Sequence, residues 1–161
     1  MDGGILYTQF SHFIDVLYWT LGDIQNVSAF SSNYQQRQNF EIEDTVAAVI
    51  KMESNVIGTF NATINSFRQN MEGSITIFGE KGSVKIGGQY LNKIEWFEVE
   101  GQPKPQEAEI NASNNYGFYE GSMSNHHHVY EDLLKALDNR DNTMVEAIEA
   151  VKTIEIIEKI Y

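Results

Sequence analysis

Apolar residues crowd the opening of the chain. From Gly3 to Trp19 they fall at Ile5, Leu6, Phe10, Phe13, Ile14, Val16, Leu17 and Trp19, which predicts a helix apolar almost all round and therefore buried. One polar seam interrupts it. Thr8, Ser11, His12 and Asp15 stand at i, i+3, i+4 and i+7 and stack on one helix face. The helix is predicted to end near Leu21, with Gly22 as a left-handed cap. Alternation then takes over and predicts strands over 24–34, 45–52 and 56–65, with Glu53-Ser54-Asn55 turning between the last two. In the third strand Val56, Phe60, Ala62 and Ile64 form one face and Thr59, Asn61, Thr63 and Asn65 the other, the two-faced pattern of an antiparallel sheet. Residues 74–78 and 83–86 flank the hairpin signal Gly79-Glu80-Lys81-Gly82, and 93–99 reads as a further strand carrying Trp96 and Phe97. The polar stretch 101–116 holds both prolines and predicts a long surface excursion. The chain closes on helices. Val129, Tyr130, Leu133, Leu134 and Leu137 form a stripe over 128–137, and a turn follows at 138–141. Thr143 and Glu146 then fit a capping box, and the final helix is expected to bury Ile148, Val151, Ile154 or Ile157, and Tyr161.

One helix, a run of strands and two closing helices argue an α+β fold: a largely antiparallel open sheet of about five to six strands packed on helices. A length of 161 residues suits a single domain spanning 1–161, and 42% hydrophobic residues are enough for a core. No internal repeat or low-complexity tract is seen, and no apolar run reaches membrane-span length. A net charge of -12 argues against nucleic-acid binding, and the absence of cysteine excludes disulfides and thiolate metal sites. Asn61-Ala62-Thr63 and Asn111-Ala112-Ser113 match glycosylation acceptors and are expected to do so by chance, since the residues as read suggest no secretion signal. The chain opens on a core helix with almost no lead-in and stops inside a helical pattern. It is therefore expected to be a piece of a longer protein.

His12 is the candidate proton carrier, since imidazole titrates near neutrality and a buried polar seam demands partners or a cleft. A His–Asp pair satisfied within the core fits the spacing as well, and spacing alone favours that bland reading. His126-His127-His128 opens a helix on which neighbouring residues diverge, so the three do not ligate one ion and no metal site is expected. Ser124 or Asn125 is the expected cap there, and the exposed N-terminal groups could meet a polar or anionic ligand. Arg68, in the loop 66–73, is either a solvated charge or a fork for phosphate or carboxylate. No glycine-rich phosphate loop, His-Glu-x-x-His, Gly-x-Ser-x-Gly or calcium loop is present.

Taken together, several segments resemble the C-terminal domain of the Gfo/Idh/MocA oxidoreductases, which has the glyceraldehyde-3-phosphate dehydrogenase-like architecture. They are Gly3-Gly4-Ile5-Leu6 leading to His12-Phe13-Ile14-Asp15 and Trp19-Thr20-Leu21-Gly22, the hairpin Gly79-Glu80-Lys81-Gly82-Ser83-Val84, and the closing Tyr130 to Leu137 with Ala147 to Tyr161. Most relatives carry aspartate four residues before the histidine, where this chain has Thr8. That feature, with Phe67 to Ser74 and Gly117 to His126, is similar to the branch oxidising the 3-hydroxyl of UDP-N-acetylglucosaminuronic acid for bacterial surface polysaccharides.

The resemblance implies a cytoplasmic two-domain enzyme. Its preceding Rossmann domain, absent here, binds NAD(P) and supplies a lysine, so no cofactor is expected on this piece and it should be inactive alone. His12 would be the catalytic residue contacting the sugar hydroxyl, with Thr8 hydrogen-bonding the sugar or orienting His12, and Asp15 would give structural support. Arg68 and Asn70 would bind the nucleotide phosphates or uronate, and Ser124, Asn125 and His126 would line the same pocket. The partners implied are a sugar or sugar-nucleotide substrate and further copies of the chain, as a dimer or tetramer through the sheet face, with Trp96, Phe97 and Phe60 as candidates for that face. Neither membrane nor nucleic acid is implied. The rival reading is a non-catalytic sugar-binding or oligomerisation module.

Overall fold

The computed structural model describes residues 3–35, 42–89, 91–106, 113–115, 117, 120–123, 126–138 and 147–161. Every described ladder is antiparallel, and the α+β class expected from the order of elements is what the chain adopts. The six strands expected in one open sheet are hydrogen-bonded as two three-stranded sheets, and a separate two-stranded ladder was not foreseen. The chain forms two compact units, one of residues 1–66 with 145–161 and one of residues 67–144.

In the first unit, two helices replace the single one expected. They are α1 (Ile5–Thr8) and α2 (Ser11–Leu21). No glycine or proline marks the break. Instead the Phe10 N–H reaches back to the Ile5 carbonyl at 3.1 Å, one residue wider than an α-turn, and the Phe10 carbonyl then receives the Phe13 and Ile14 N–H groups. The segment is not buried all round. Ile5, Leu6 and Ile14 are buried, whereas Trp19 is 82% exposed. α2 stops at Gly22, whose φ of 83° and ψ of -160° put it in a mirror-extended region that glycine enters without steric cost.

The sheet of this unit joins β1 (Ile24–Ser32), β2 (Thr45–Met52) and β3 (Ile57–Thr63). The hairpin at Asn55 (φ 65°) is the one the sequence predicts. Register rows Ala29–Ala48–Phe60 and Ser31–Val46–Ala62 set the core face, so Phe60 is 8% exposed and belongs to the core, not to an outer interface. Val56 and Ile64, expected beside it, lie outside the strand and are exposed.

α4 (Ala147–Ile160) covers this core with Thr153, Ile156, Ile157 and Ile160. Ile157 was expected inside, but Ile148, Val151 and Ile154 are exposed and Tyr161 is half exposed. The buried stripe runs i, i+3, i+4, i+7 from Thr153, a polar residue at its head that apolar periodicity does not count. Fully burying each isoleucine is worth roughly 1.5–3 kcal/mol.

In the second unit, β4 (Ile75–Gly79), β5 (Gly82–Gly87) and β6 (Lys93–Val99) form the other sheet. Gly79 pairs with Gly82 around Glu80-Lys81, the predicted hairpin. The rows Ile77–Val84–Phe97 and Ile75–Ile86–Ile94 make one face apolar, on which Ile77 and Ile86 are exposed and Ile75, Val84, Ile94 and Phe97 are half-buried. Trp96 follows the other face with Thr76 and Lys85, so Trp96 and Phe97 cannot share a surface. β7 (Ser113–Asn115) falls within the expected excursion 101–116 and pairs with β8 (Glu120–Met123) beyond it. α3 (His126–Leu137) carries the expected apolar stripe, all of it exposed. The capping box at Thr143 and Glu146 lies outside the described residues. Among the described residues, no helix is long and apolar enough to cross a membrane.

Candidate functional site

The polar seam is split by the break between α1 and α2. Thr8 closes α1 and its hydroxyl donates to the Gly4 carbonyl at 3.0 Å, leaving its oxygen lone pairs to accept. Ser11, His12 and Asp15 follow on α2. His12 and Asp15 do not pair. The Asp15 carboxylate accepts the Thr153 hydroxyl at 2.7 Å and ties α2 to α4. His12 reaches solvent, packs against Phe13 (ring centroids 4.4 Å) and has no hydrogen-bond partner among the described residues. Desolvation on its protein side holds the imidazole below its ordinary 6.5, so it is neutral at neutral pH and its nitrogen can accept a proton.

Beneath the seam lies an arrangement that sequence reasoning missed. The Glu43 carboxylate, just ahead of β2, accepts the Ile5 N–H at 2.8 Å and, through a short hydrogen bond, the Tyr161 hydroxyl. The Tyr161 oxygen accepts the Leu6 N–H at 3.4 Å, and its ring stacks on Tyr7 at 6.0 Å. Burial and the Glu43 hydrogen bond push the Tyr161 hydroxyl far above its usual range, so it stays protonated. Gly4 sits under this cluster with φ 101°, and a Cβ there would lie 2.6 Å from Glu43 Oε1 and closer still to the Tyr161 hydroxyl. The partners stand 118 and 155 residues apart, a separation no local pattern can signal.

Asp44 is buried at the end of the same sheet. Burial pushes its carboxyl up, but the Gln35 and Tyr34 backbone N–H groups, Asn65 and Thr45 outweigh that and hold it below 3.8. The Asn65 amide nitrogen also donates to Thr45 Oγ1 at 3.3 Å, which leaves Asn65 Oδ1 buried and without a partner among the described residues.

The second unit carries the basic candidate. Arg68 has φ 69°, and the Gln69 N–H bonds the Phe67 carbonyl at 2.9 Å. This is a γ-turn of the rare positive-φ form, strained for any residue with a Cβ. The guanidinium lies 4.9 Å over the Phe67 ring, and Phe67 is 83% exposed. Asn70 is exposed on the same loop, and His126 is exposed at the first position of α3. Ser124 and Asn125 lie outside the described residues. No group of three or more His, Asp or Glu side chains suited to a metal occurs among the described residues.

The family model described as "Oxidoreductase family, C-terminal alpha/beta domain" matches residues 1–161. Among solved structures, the WlbA dehydrogenase of Chromobacterium violaceum in complex with NADH and UDP-GlcNAcA superposes with a TM-score of 0.80 at 31% identity, covering 100% of this chain and 44% of its own. The Bordetella pertussis WlbA dehydrogenase, with the same two ligands, gives 0.79 at 28% identity over 99% of this chain and 42% of its own. A Thermotoga maritima oxidoreductase shares the fold at a TM-score of 0.67 and 18% identity, covering 98% of this chain and 41% of its own. The chain therefore spans less than half the length of these relatives. No curated protein sequence matches it.

Proposed function

The chain belongs to the Gfo/Idh/MocA oxidoreductase family as its C-terminal alpha/beta domain, and from that premise we propose that it is the substrate-binding half of a sugar-nucleotide dehydrogenase oxidising the 3-hydroxyl of a UDP-N-acetylhexuronate. The observation that carries the reading is His12, an imidazole on α2 that reaches solvent with no hydrogen-bond partner among the described residues. In this reading His12 accepts the proton of the reacting hydroxyl. Thr8, its hydroxyl hydrogen committed to the Gly4 carbonyl, accepts a sugar O–H through its lone pairs. Asp15 supports α2 and takes no part in the chemistry. Arg68 and Asn70 bind the diphosphate or uronate, with Ser124, Asn125 and His126 lining the pocket.

This sequence has no glycine-rich phosphate loop, so its residues do not by themselves fit a dinucleotide. NAD(P) belongs on a preceding domain. The likeness to WlbA dehydrogenases solved with NADH and UDP-GlcNAcA supports both the cofactor and the substrate class. The apolar face of the β4–β5–β6 sheet favours a second role, assembly into a cytoplasmic homo-dimer or tetramer. The rival reading, a non-catalytic sugar-binding or oligomerisation module, rests on that face alone.

The deciding experiment is His12→Ala in the full-length protein with UDP-N-acetylglucosaminuronate and NAD. Loss of a general base is expected to lower kcat by roughly 10²–10⁴-fold. Unchanged turnover rejects His12 as the base.

A further inference from the structure

We propose that Glu43 and Tyr161 form a positioning clasp that fixes the α1–α2 junction and, through it, sets the places of Thr8 and His12. This rests on the reading of His12 given above. The clasp reaches the seam along two unbroken hydrogen-bond routes. The Gly4 carbonyl, in the same peptide as the Ile5 N–H that Glu43 holds, receives both the Thr8 hydroxyl at 3.0 Å and the Thr8 N–H at 3.3 Å. Ile5, whose N–H is held by Glu43, offers the carbonyl that receives the Gln9 N–H at 2.9 Å and the Phe10 N–H at 3.1 Å. Phe10 caps α2, the helix that carries His12.

A four-residue helix does not hold itself together, because nucleation fixes several dihedral angles for little hydrogen bonding. No side chain of its own caps α1. Glu43 takes the place of the missing cap, placing a carboxylate at the first free N–H. Tyr161 donates to that carboxylate and accepts from the next N–H. The junction is thereby fixed from both sides of the unit, by Glu43 two residues ahead of β2 and by Tyr161 just after α4.

The test uses the full-length enzyme with UDP-N-acetylglucosaminuronate and NAD. Tyr161→Phe keeps the ring on Tyr7 and removes only the hydroxyl. Glu43→Gln keeps an acceptor oxygen and Glu43→Leu removes it. Misplacing a reacting group without losing substrate contacts is expected to lower kcat by about tenfold in Tyr161→Phe and Glu43→Leu, with KM unchanged. Amide exchange at Ile5 and Leu6 should accelerate in both variants, and Glu43→Gln should restore most of kcat. Full kcat in Tyr161→Phe, with only the unfolding temperature lowered, overturns the proposal, as does an equal loss in Glu43→Gln and Glu43→Leu. His12→Ala is run alongside. If it abolishes turnover while Tyr161→Phe keeps full kcat, the clasp alone is wrong; if it leaves turnover intact, the active-site reading fails and the clasp falls with it.

Discussion

Removing Asp15 should cost more than removing its partner Thr153, although the two changes break the same hydrogen bond. The bond is 2.7 Å long and part-buried, and its ends are unequal. Thr153 is 7% exposed, whereas Asp15 faces water. Asp15→Ala strands a buried hydroxyl, which costs about 1–3 kcal/mol. Rotation of the hydroxyl onto the carbonyl one turn back in α4 holds the loss toward the lower end. Thr153→Val leaves only an exposed carboxylate, which water solvates again, so the loss is below about 1 kcal/mol. The double variant should resemble Thr153→Val, giving a coupling energy of about 1 kcal/mol. Urea midpoints of the full-length protein at constant m-value measure all three. Equal losses in the two single variants, or strict additivity in the double, refute the reasoning. In the same set, kcat of Asp15→Ala should stay within about threefold of the parent, because 1.4 kcal/mol of catalytic loss would already be tenfold. A larger fall places Asp15 in the chemistry.

Three further outcomes are expected. Phe60→Ala should destabilise the protein by about 3–5 kcal/mol, because its ring fills the core between the first sheet and α4, and a loss below 1 kcal/mol would place it outside the core. Arg68→Gly should leave stability unchanged or raise it by up to about 1 kcal/mol, since glycine relieves the positive φ, while KM for UDP-N-acetylglucosaminuronate rises; an unchanged KM removes Arg68 from anion binding. His12 should titrate below 6.5, observed by NMR of its ring protons. The folded imidazole is harder to protonate than the unfolded one, so this group's contribution to stability is intact above pH 6.5 and is lost as the pH falls below it, and an apparent value above 6.5 contradicts the desolvation account.

Alternation made most of the fold legible. β2 appears at its full length, the Asn55 and Glu80-Lys81 hairpins sit where their turn residues put them, and Phe60 and Ala62 alternate inward as read. Helix faces were harder. The buried stripe of α4 begins with Thr153, a polar residue admitted because Asp15 satisfies it, and hydropathy alone cannot see that exchange. The break at Phe10 has no glycine or proline to announce it, because a wider backbone closure causes it. At the site, His12 and Thr8 were visible by residue type and spacing, and the resemblance sharpened them. Glu43 and Tyr161 were not visible, since long-range hydrogen bonds leave no periodic trace. The γ-turn at Arg68 was hidden for a different reason: the positive φ falls on an arginine, a residue that does not advertise it.

The first unit is assembled from residues 1–66 and 145–161, with the second unit's entire sequence intervening. On the ribosome, β1, β2 and β3 are therefore made long before α4 emerges to bring Ile156, Ile157 and Ile160 into the shared core. At about 5–20 residues per second, the nascent chain carries an uncovered apolar sheet for several seconds. Such long-range closure is also slow in free solution, because the loop entropy is spent before the packing is gained. Production of the intact protein should therefore respond to chaperone supply and growth temperature more steeply than its final stability suggests. Substitutions in α4 should appear first as lost soluble yield and only afterwards as lost activity.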